Sequence, residues 1–132
     1  MLKVDDVSVS YGKSQVVYNV SFEIKDDEKL ILLGRNGVGK TTLLKSIIGL
    51  LPAKTGDISL NSDKVTKLKP YERSRKGIAY VPQGREIIPQ LTVQENLELG
   101  ALAHKVDYAK KVEEIFEYFP VLTQHLKRKG GV

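Results

Sequence analysis

Gly34-Arg35-Asn36-Gly37-Val38-Gly39-Lys40-Thr41-Thr42 gathers three glycines, a lysine and two adjacent hydroxyls in one short stretch. Glycines let a backbone come close to a ligand without a Cβ in the way, so that successive N–H groups can point inward at oxygen atoms. A lysine supplies a full positive charge for outer phosphates, and a threonine hydroxyl suits Mg²⁺, a hard cation that prefers oxygen. In this stretch Lys40 takes the first role and Thr41 the second, while Thr42 offers a further hydroxyl to an inner phosphate. The spelling satisfies the template G-x-x-x-x-G-K-[ST] in full, which points to a nucleotide phosphate site.

That template needs a strand before it and a helix after it. The apolar run Leu30-Ile31-Leu32-Leu33 reads as a buried strand leading in, and Leu43-Leu44-Lys45-Ser46-Ile47-Ile48-Gly49 as a helix leading out. The helix would add its unpaired N–H groups and the positive end of its dipole to the anion site.

The remaining elements follow from period and punctuation. Val4 to Tyr11 alternates apolar and polar residues, Tyr11-Gly12-Lys13-Ser14 reads as a turn, and Val16 to Ile24 as a second strand, giving a hairpin. Tyr11, where a strand gives way to a glycine turn, is either a half-buried strand residue or a ring free to stack on a base. Asp57 to Leu60 reads as a further strand, and Pro70 to Lys76 as a short helix closed by Gly77. Ile78-Ala79-Tyr80-Val81 is a compact apolar strand ended by Pro82. Gln83 then stands where an open α/β sheet gathers ligand groups, although a solvent-exposed loop glutamine reads equally from position alone.

From Thr92 the period becomes helical. Thr92-Val93-Gln94-Glu95 spells a capping box, and a second helix begins near Asp107, with Val112, Ile115, Phe116 and Phe119 forming one apolar core face. Pro120 ends it. His104 and His125 have no acidic or histidine partner at ligand spacing and carry no chemical expectation.

At 132 residues the chain is of single-domain size, either one domain or part of one. With no cysteine it can hold neither a disulfide framework nor a thiolate metal site, which is compatible with an intracellular protein. No signal-peptide pattern opens the chain and no apolar run approaches the ~20 residues that span a bilayer. The net charge of +5 is interspersed with acids, and the only compact basic run is Lys127-Arg128-Lys129, so the charge reads as a solvated surface and no nucleic-acid partner is expected.

These stretches together resemble the ATP-binding subunit of an ABC transporter, and within that family the subunits serving branched-chain amino acid and urea importers. The likeness runs along the whole chain. Tyr11-Gly12, the loop Gly34 to Thr42 and Val81-Pro82-Gln83 carry it, as does the run Gly84-Arg85-Glu86-Ile87-Ile88-Pro89-Gln90-Leu91-Thr92-Val93-Gln94-Glu95-Asn96-Leu97. The phosphate loop alone would identify only a P-loop NTPase; the segments after Gln83 narrow it, and Gly84-Arg85-Glu86 points to the importer subgroup.

The resemblance implies an α/β fold of the P-loop ABC ATPase type, incomplete, with an amino-terminal antiparallel β subdomain. Residues 1–83 would form that subdomain and the phosphate-loop core, and residues 84–132 the glutamine loop and the start of a helical subdomain. It implies ATP and Mg²⁺ as ligands. Tyr11 matches the aromatic that stacks on adenine, and Gly34, Arg35, Asn36, Gly37, Val38, Gly39, Lys40, Thr41 and Thr42 enclose the phosphates. Thr41 and Gln83 match the metal-binding groups, and Lys40 and Gln83 the catalytic ones. Implied partners are transmembrane permease subunits and a second ATP-binding subunit, at the cytoplasmic face of the membrane. Asp27 stands where the family usually has Gly, in a turn that Asp can still make.

The family's signature sequence, its second acidic motif and its switch histidine normally follow the point reached at Gly130-Gly131-Val132. The chain therefore reads as the amino-terminal part of such a subunit, in which two sheet strands are missing between Leu30–Leu33 and Ile78–Val81. Three functions stay open: an ATP-hydrolysing importer subunit, a nucleotide-binding fragment without turnover, and a non-transport ABC ATPase.

Overall fold

A computed structural model describes residues 1–84 and 86–131. The chain divides into two compact units, one covering Met1–Tyr80 and the other beginning at Val81.

The first unit is built on an antiparallel sheet of β1 (Leu2–Tyr11), β2 (Ser14–Ile24), β3 (Ala53–Leu60) and β4 (Asp63–Lys64), in the order β2-β1-β3-β4. Alternation drives it. Val4, Val7 and Val9 of β1, Val17 of β2 and Ile58 of β3 turn to one side and are buried. The helix α1 (Lys40–Ile47) lays Leu43 and Ile47, one turn apart, into the same cluster, joined by Val65. The expected hairpin is present, with Tyr11 opposite Ser14 across its turn. Asn61 and Ser62, at φ +47° and +71°, make the two-residue turn from β3 to β4. Asp27 takes φ +62°, the left-handed conformation its turn requires.

A seam of irregular backbone crosses the three long strands. Asp6 on β1 and Asn19 on β2 have φ of +51° and +46°, and Gly56 on β3 has +80°. The register slips between Val4 and Val7 on both sides of β1, as bulges require. Polar side chains fill the kink: Asn19 Nδ2 donates to Asp6 Oδ1 at 2.7 Å, and the Asp6 N–H donates to Ser21 Oγ at 2.8 Å. At Gly56 a Cβ would lie 2.3 Å from Asp6 O, so only glycine fits.

Two expected strands are not formed. Leu30–Leu33 and Ile78–Val81 are irregular, with Ile31 78%, Leu33 84% and Val81 91% exposed. An apolar run becomes a strand only by pairing its N–H and C=O groups with a neighbour. Among the described residues no strand pairs with either run.

The short helix α2 (Pro70–Arg75) starts with proline in its first turn, and Glu72 accepts from the Lys69 N–H at 2.7 Å. In the second unit, α3 (Val93–His104) and α4 (Tyr108–Tyr118) begin at Thr92 and Asp107, and a 3₁₀ turn covers Pro120–Gln124. The Thr92 hydroxyl accepts from the Glu95 N–H at 3.2 Å, and the Glu95 carboxylate accepts from the Thr92 N–H at 2.7 Å. Asp107 caps α4 by accepting from the Ala109 N–H. The face of α4 expected to be core is only partly covered. Val112, Ile115 and Phe116 are half-buried and Phe119 is 60% exposed. Helical period shows that a face is apolar; whether it is buried depends on what lies against it, and α3 with the 3₁₀ turn covers only part of it.

Candidate functional site

The candidate loop runs from Gly34 into the first turn of α1. Gly39 is the N-cap, in the left-handed region at φ +105°. A Cβ there would lie 3.2 Å from both Val16 O and Val17 Cγ2, so the start of β2 packs directly on the backbone at the helix entrance. The first turn thus departs from β2 at a fixed angle. Its first backbone bond within this turn is the Leu43 N–H to Gly39 O at 2.9 Å. The N–H groups of Lys40, Thr41 and Thr42 precede that bond, and no side chain caps them. They form a cluster of donors at the positive end of the helix, without an acidic residue in the first turn to compete for it.

Lys40 reaches back across the loop. Its ammonium donates to Gly34 O at 2.6 Å and to Arg35 O at 2.7 Å, so the loop closes on its own lysine. Within the loop the Val38 N–H donates to Arg35 O at 3.4 Å. Thr41 is exposed and Thr42 buried. The Thr41 hydroxyl is open to a cation, whereas Thr42 sits against the core. Beside the loop lies a cavity of about 300 Å³, lined among others by Val16, Val17, Leu32, Gly39 and Lys40. Its wall is largely apolar, and the exposed Leu30–Leu33 segment forms part of it.

The other expected site residues are more dispersed. Tyr11 stands at the hairpin turn, 48% exposed, and the residues packed on the loop are Val16 and Val17 further along the same hairpin. Gln83 belongs to the second unit, in an irregular segment with its side chain exposed. Arg85, in the stretch carrying the importer resemblance, lies outside the described residues, as does Val132.

Sequence reasoning missed Arg73. Its side chain is 2% exposed and reaches the far end of α1. Nη1 donates to Ser46 O and Ile47 O, both at 2.7 Å; Nη2 donates to Thr66 O at 2.6 Å and Nε to Leu68 O at 3.0 Å. Burial pushes the guanidinium down from its ordinary pKa. A cation at a helix C-terminus meets the last carbonyls and the negative end of the dipole. Gly49, which follows the helix at φ +85°, makes room for it, because a Cβ there would lie 2.9 Å from Arg73 Nε. The sequence signal was absent: the carbonyls are 26 and 27 positions away, and carbonyls have no residue identity.

Residues 17–130 match the protein family described as ABC transporter. The branched-chain amino acid transport ATP-binding protein BraG of Pseudomonas aeruginosa is 39% identical over 99% of this chain and 57% of its own length. A probable branched-chain amino acid transport ATP-binding protein, LivF of Archaeoglobus fulgidus, is 36% identical over 99% of this chain and 56% of its own length. The molybdate/tungstate import ATP-binding protein WtpC of Methanocaldococcus jannaschii is 38% identical over 99% of this chain and 44% of its own. Among solved structures, a dimeric post-hydrolysis ATP-binding cassette bound to ADP and Pi superposes with a TM-score of 0.83 at 25% identity, over 98% of this chain and 61% of that one. The chain spans about half the length of the curated relatives it matches.

Proposed function

This chain belongs to the ABC transporter family as an ATP-binding subunit with the α/β cassette fold, and we propose that its Gly34–Thr42 loop holds the phosphates of ATP. The observation that carries the reading is the Lys40 ammonium lying across the mouth of the loop, directly before the uncapped first turn of α1. With no phosphate present, the charge rests on two carbonyl oxygens of its own loop. A triphosphate offers that ammonium stronger, charge-assisted acceptors, and the N–H groups of the first turn take the remaining oxygens. Lys40 then leaves Gly34 O and Arg35 O for the outer phosphates.

The roles of the other residues belong to the same proposal. The exposed hydroxyl of Thr41 fits a metal ion that takes its remaining ligands from phosphate and water, and Gln83 is the second candidate ligand. Mg²⁺, when bound, supplies neutralisation of charge on the phosphate oxygens. Thr42 serves an inner phosphate, and the half-exposed ring of Tyr11 is open to stack on adenine. Residues 1–83 are the β subdomain with its phosphate-loop core, and residues 84–132 the glutamine loop and the start of a helical subdomain.

In the whole protein this binding energises an importer, in company with a second ATP-binding subunit and transmembrane permeases at the cytoplasmic face of the membrane. No helix among the described residues is long and apolar enough to cross a membrane. The names of BraG and LivF support branched-chain amino acids as the cargo, and that of WtpC supports an oxyanion as the competing reading. The 132 residues by themselves bind nucleotide without sustained turnover, because no apolar run in them ends in Asp-Glu to orient the attacking water.

Calorimetry of Mg-ATP with the 132-residue chain and with Lys40→Ala tests the loop. The expected result is loss of most of the binding in the variant; unchanged affinity with the fold preserved overturns the assignment.

A further inference from the structure

We infer that Arg73 is a positioning residue for the phosphate loop, acting through α1 from the end opposite the phosphates. α1 has eight residues, about 12 Å of helix, with the loop at one end and the Arg73 guanidinium at the other. The strand that would anchor the front of the loop is absent, since Leu30–Leu33 is irregular and exposed. The place of the loop in this unit is therefore set by α1. Two kinds of contact hold that helix. Leu43 and Ile47 bury an apolar stripe, which is non-directional and tolerates sliding along the axis. Arg73 adds four directional bonds from one rigid, planar group, two to the last turn of α1 and two to the Thr66–Leu68 segment. Those bonds fix how far α1 extends towards the loop, and hence where the donors of Lys40, Thr41 and Thr42 stand.

The structure makes room for this side chain at some cost. A guanidinium that is 2% exposed, whose recorded partners are all carbonyl oxygens, is expensive to bury. Gly49 leaves the space in which Nε sits. An apolar residue would fill the same volume without that desolvation; what it could not do is tie two segments at defined distances.

The inference rests on the phosphate-site reading for its effect on ATP, but it can be tested without nucleotide. Arg73→Met and Arg73→Lys in the full 132-residue chain are compared with the native chain and with Lys40→Ala. Amide NMR resonances of Gly37, Gly39 and Lys40 in the nucleotide-free proteins report the loop, and calorimetry reports ATP affinity of the folded protein. The expected result is that Arg73→Met moves those amide resonances and weakens ATP by about tenfold, with Arg73→Lys intermediate. A role in stability alone would lower the thermal midpoint while leaving loop resonances and affinity unchanged, and that result overturns the inference. If Arg73→Met does not fold, Arg73→Lys carries the test with the same two outcomes. Lys40→Ala keeps the readings apart: native-like ATP binding in it sinks the phosphate assignment, whereas loss there with unchanged Arg73 variants sinks only the role of Arg73.

Discussion

The two units of this chain are held together by different physics. In Met1–Tyr80, eight apolar residues are buried and the contacts that bury them are long-range, Val4 of β1 lying opposite Ile58 of β3. In the unit from Val81 onward, none of the described residues reaches that degree of burial. It is stitched by hydrogen bonds instead. The Asn96 amide donates to Thr92 O at 2.9 Å and Ile88 O at 3.1 Å, and its carbonyl accepts from the Ile88 N–H at 2.9 Å. The Val93 N–H reaches Arg128 O at 2.9 Å and the Gly130 N–H reaches Leu91 O at 2.9 Å. Burial of apolar area dominates folding free energy, whereas each exchanged hydrogen bond contributes only about 1 kcal/mol net. The first unit therefore has the means to be stable, and the second has the means to be specific about its shape while remaining weakly stable.

Three substitutions probe that contrast. Gly56→Ala should have the largest effect, because the new Cβ would meet the Asp6 and Asp5 carbonyls at 2.3 and 2.4 Å on a backbone that disfavours L side chains. A loss of about 3 kcal/mol or more is expected in urea unfolding followed by near-native sheet signal. A loss below 1 kcal/mol would mean that the seam yields easily and that the first unit is less firmly specified than its burial suggests.

Thr92→Ala comes next, at about 1 kcal/mol, read as faster hydrogen exchange in α3 with the sheet unaffected. It also carries a pH signature. The bonds from the Thr92 N–H and then its hydroxyl hold the Glu95 carboxyl below the usual glutamate range. A depressed carboxylate contributes stability that is complete above its unfolded value and fades as pH falls through its folded one. α3 should accordingly loosen in acid, and Thr92→Ala should blunt that response; an unaltered acid profile would remove the capping box from the account.

Phe119→Ser is expected to matter least, within about 0.5 kcal/mol, since the ring is 60% exposed. Should it cost as much as Gly56→Ala in the same unfolding experiment, the second unit would have a core after all and the contrast would fail.

What could be read from the sequence followed the range of the interactions. The capping boxes, the hairpin turn, the left-handed Asp27 and the phosphate loop are written in neighbouring residues, and each is found where the spacing put it. Leu30–Leu33 and Ile78–Val81 were legible as apolar but not as strands, because a strand is a property of two segments. Phe119 was legible as part of an amphipathic face but not as exposed, for the same reason. Arg73 was not legible at all: its partners are backbone oxygens from the middle of the chain, and nothing in Tyr71-Glu72-Arg73-Ser74-Arg75 marks which basic side chain turns inward. The placement of Tyr11 and Gln83 relative to a nucleotide remains a proposal drawn from resemblance.

The seam through Asp6, Asn19 and Gly56 has a consequence for how the sheet avoids error. A strand that slips by one residue turns its valines outward and is rejected by burial. A slip by two residues keeps every valine on the correct side, and hydrophobic patterning has no means of detecting it. The seam does. Three left-handed positions must coincide across three strands, with the Asn19 amide on the Asp6 carboxylate and a glycine under the Asp6 carbonyl. A two-residue slip would set β-branched or bulky side chains against that carbonyl and leave Asp6 without its partner. The kink thus works as a parity check on the alignment, refusing the near-miss arrangements that oil-and-water chemistry alone would accept.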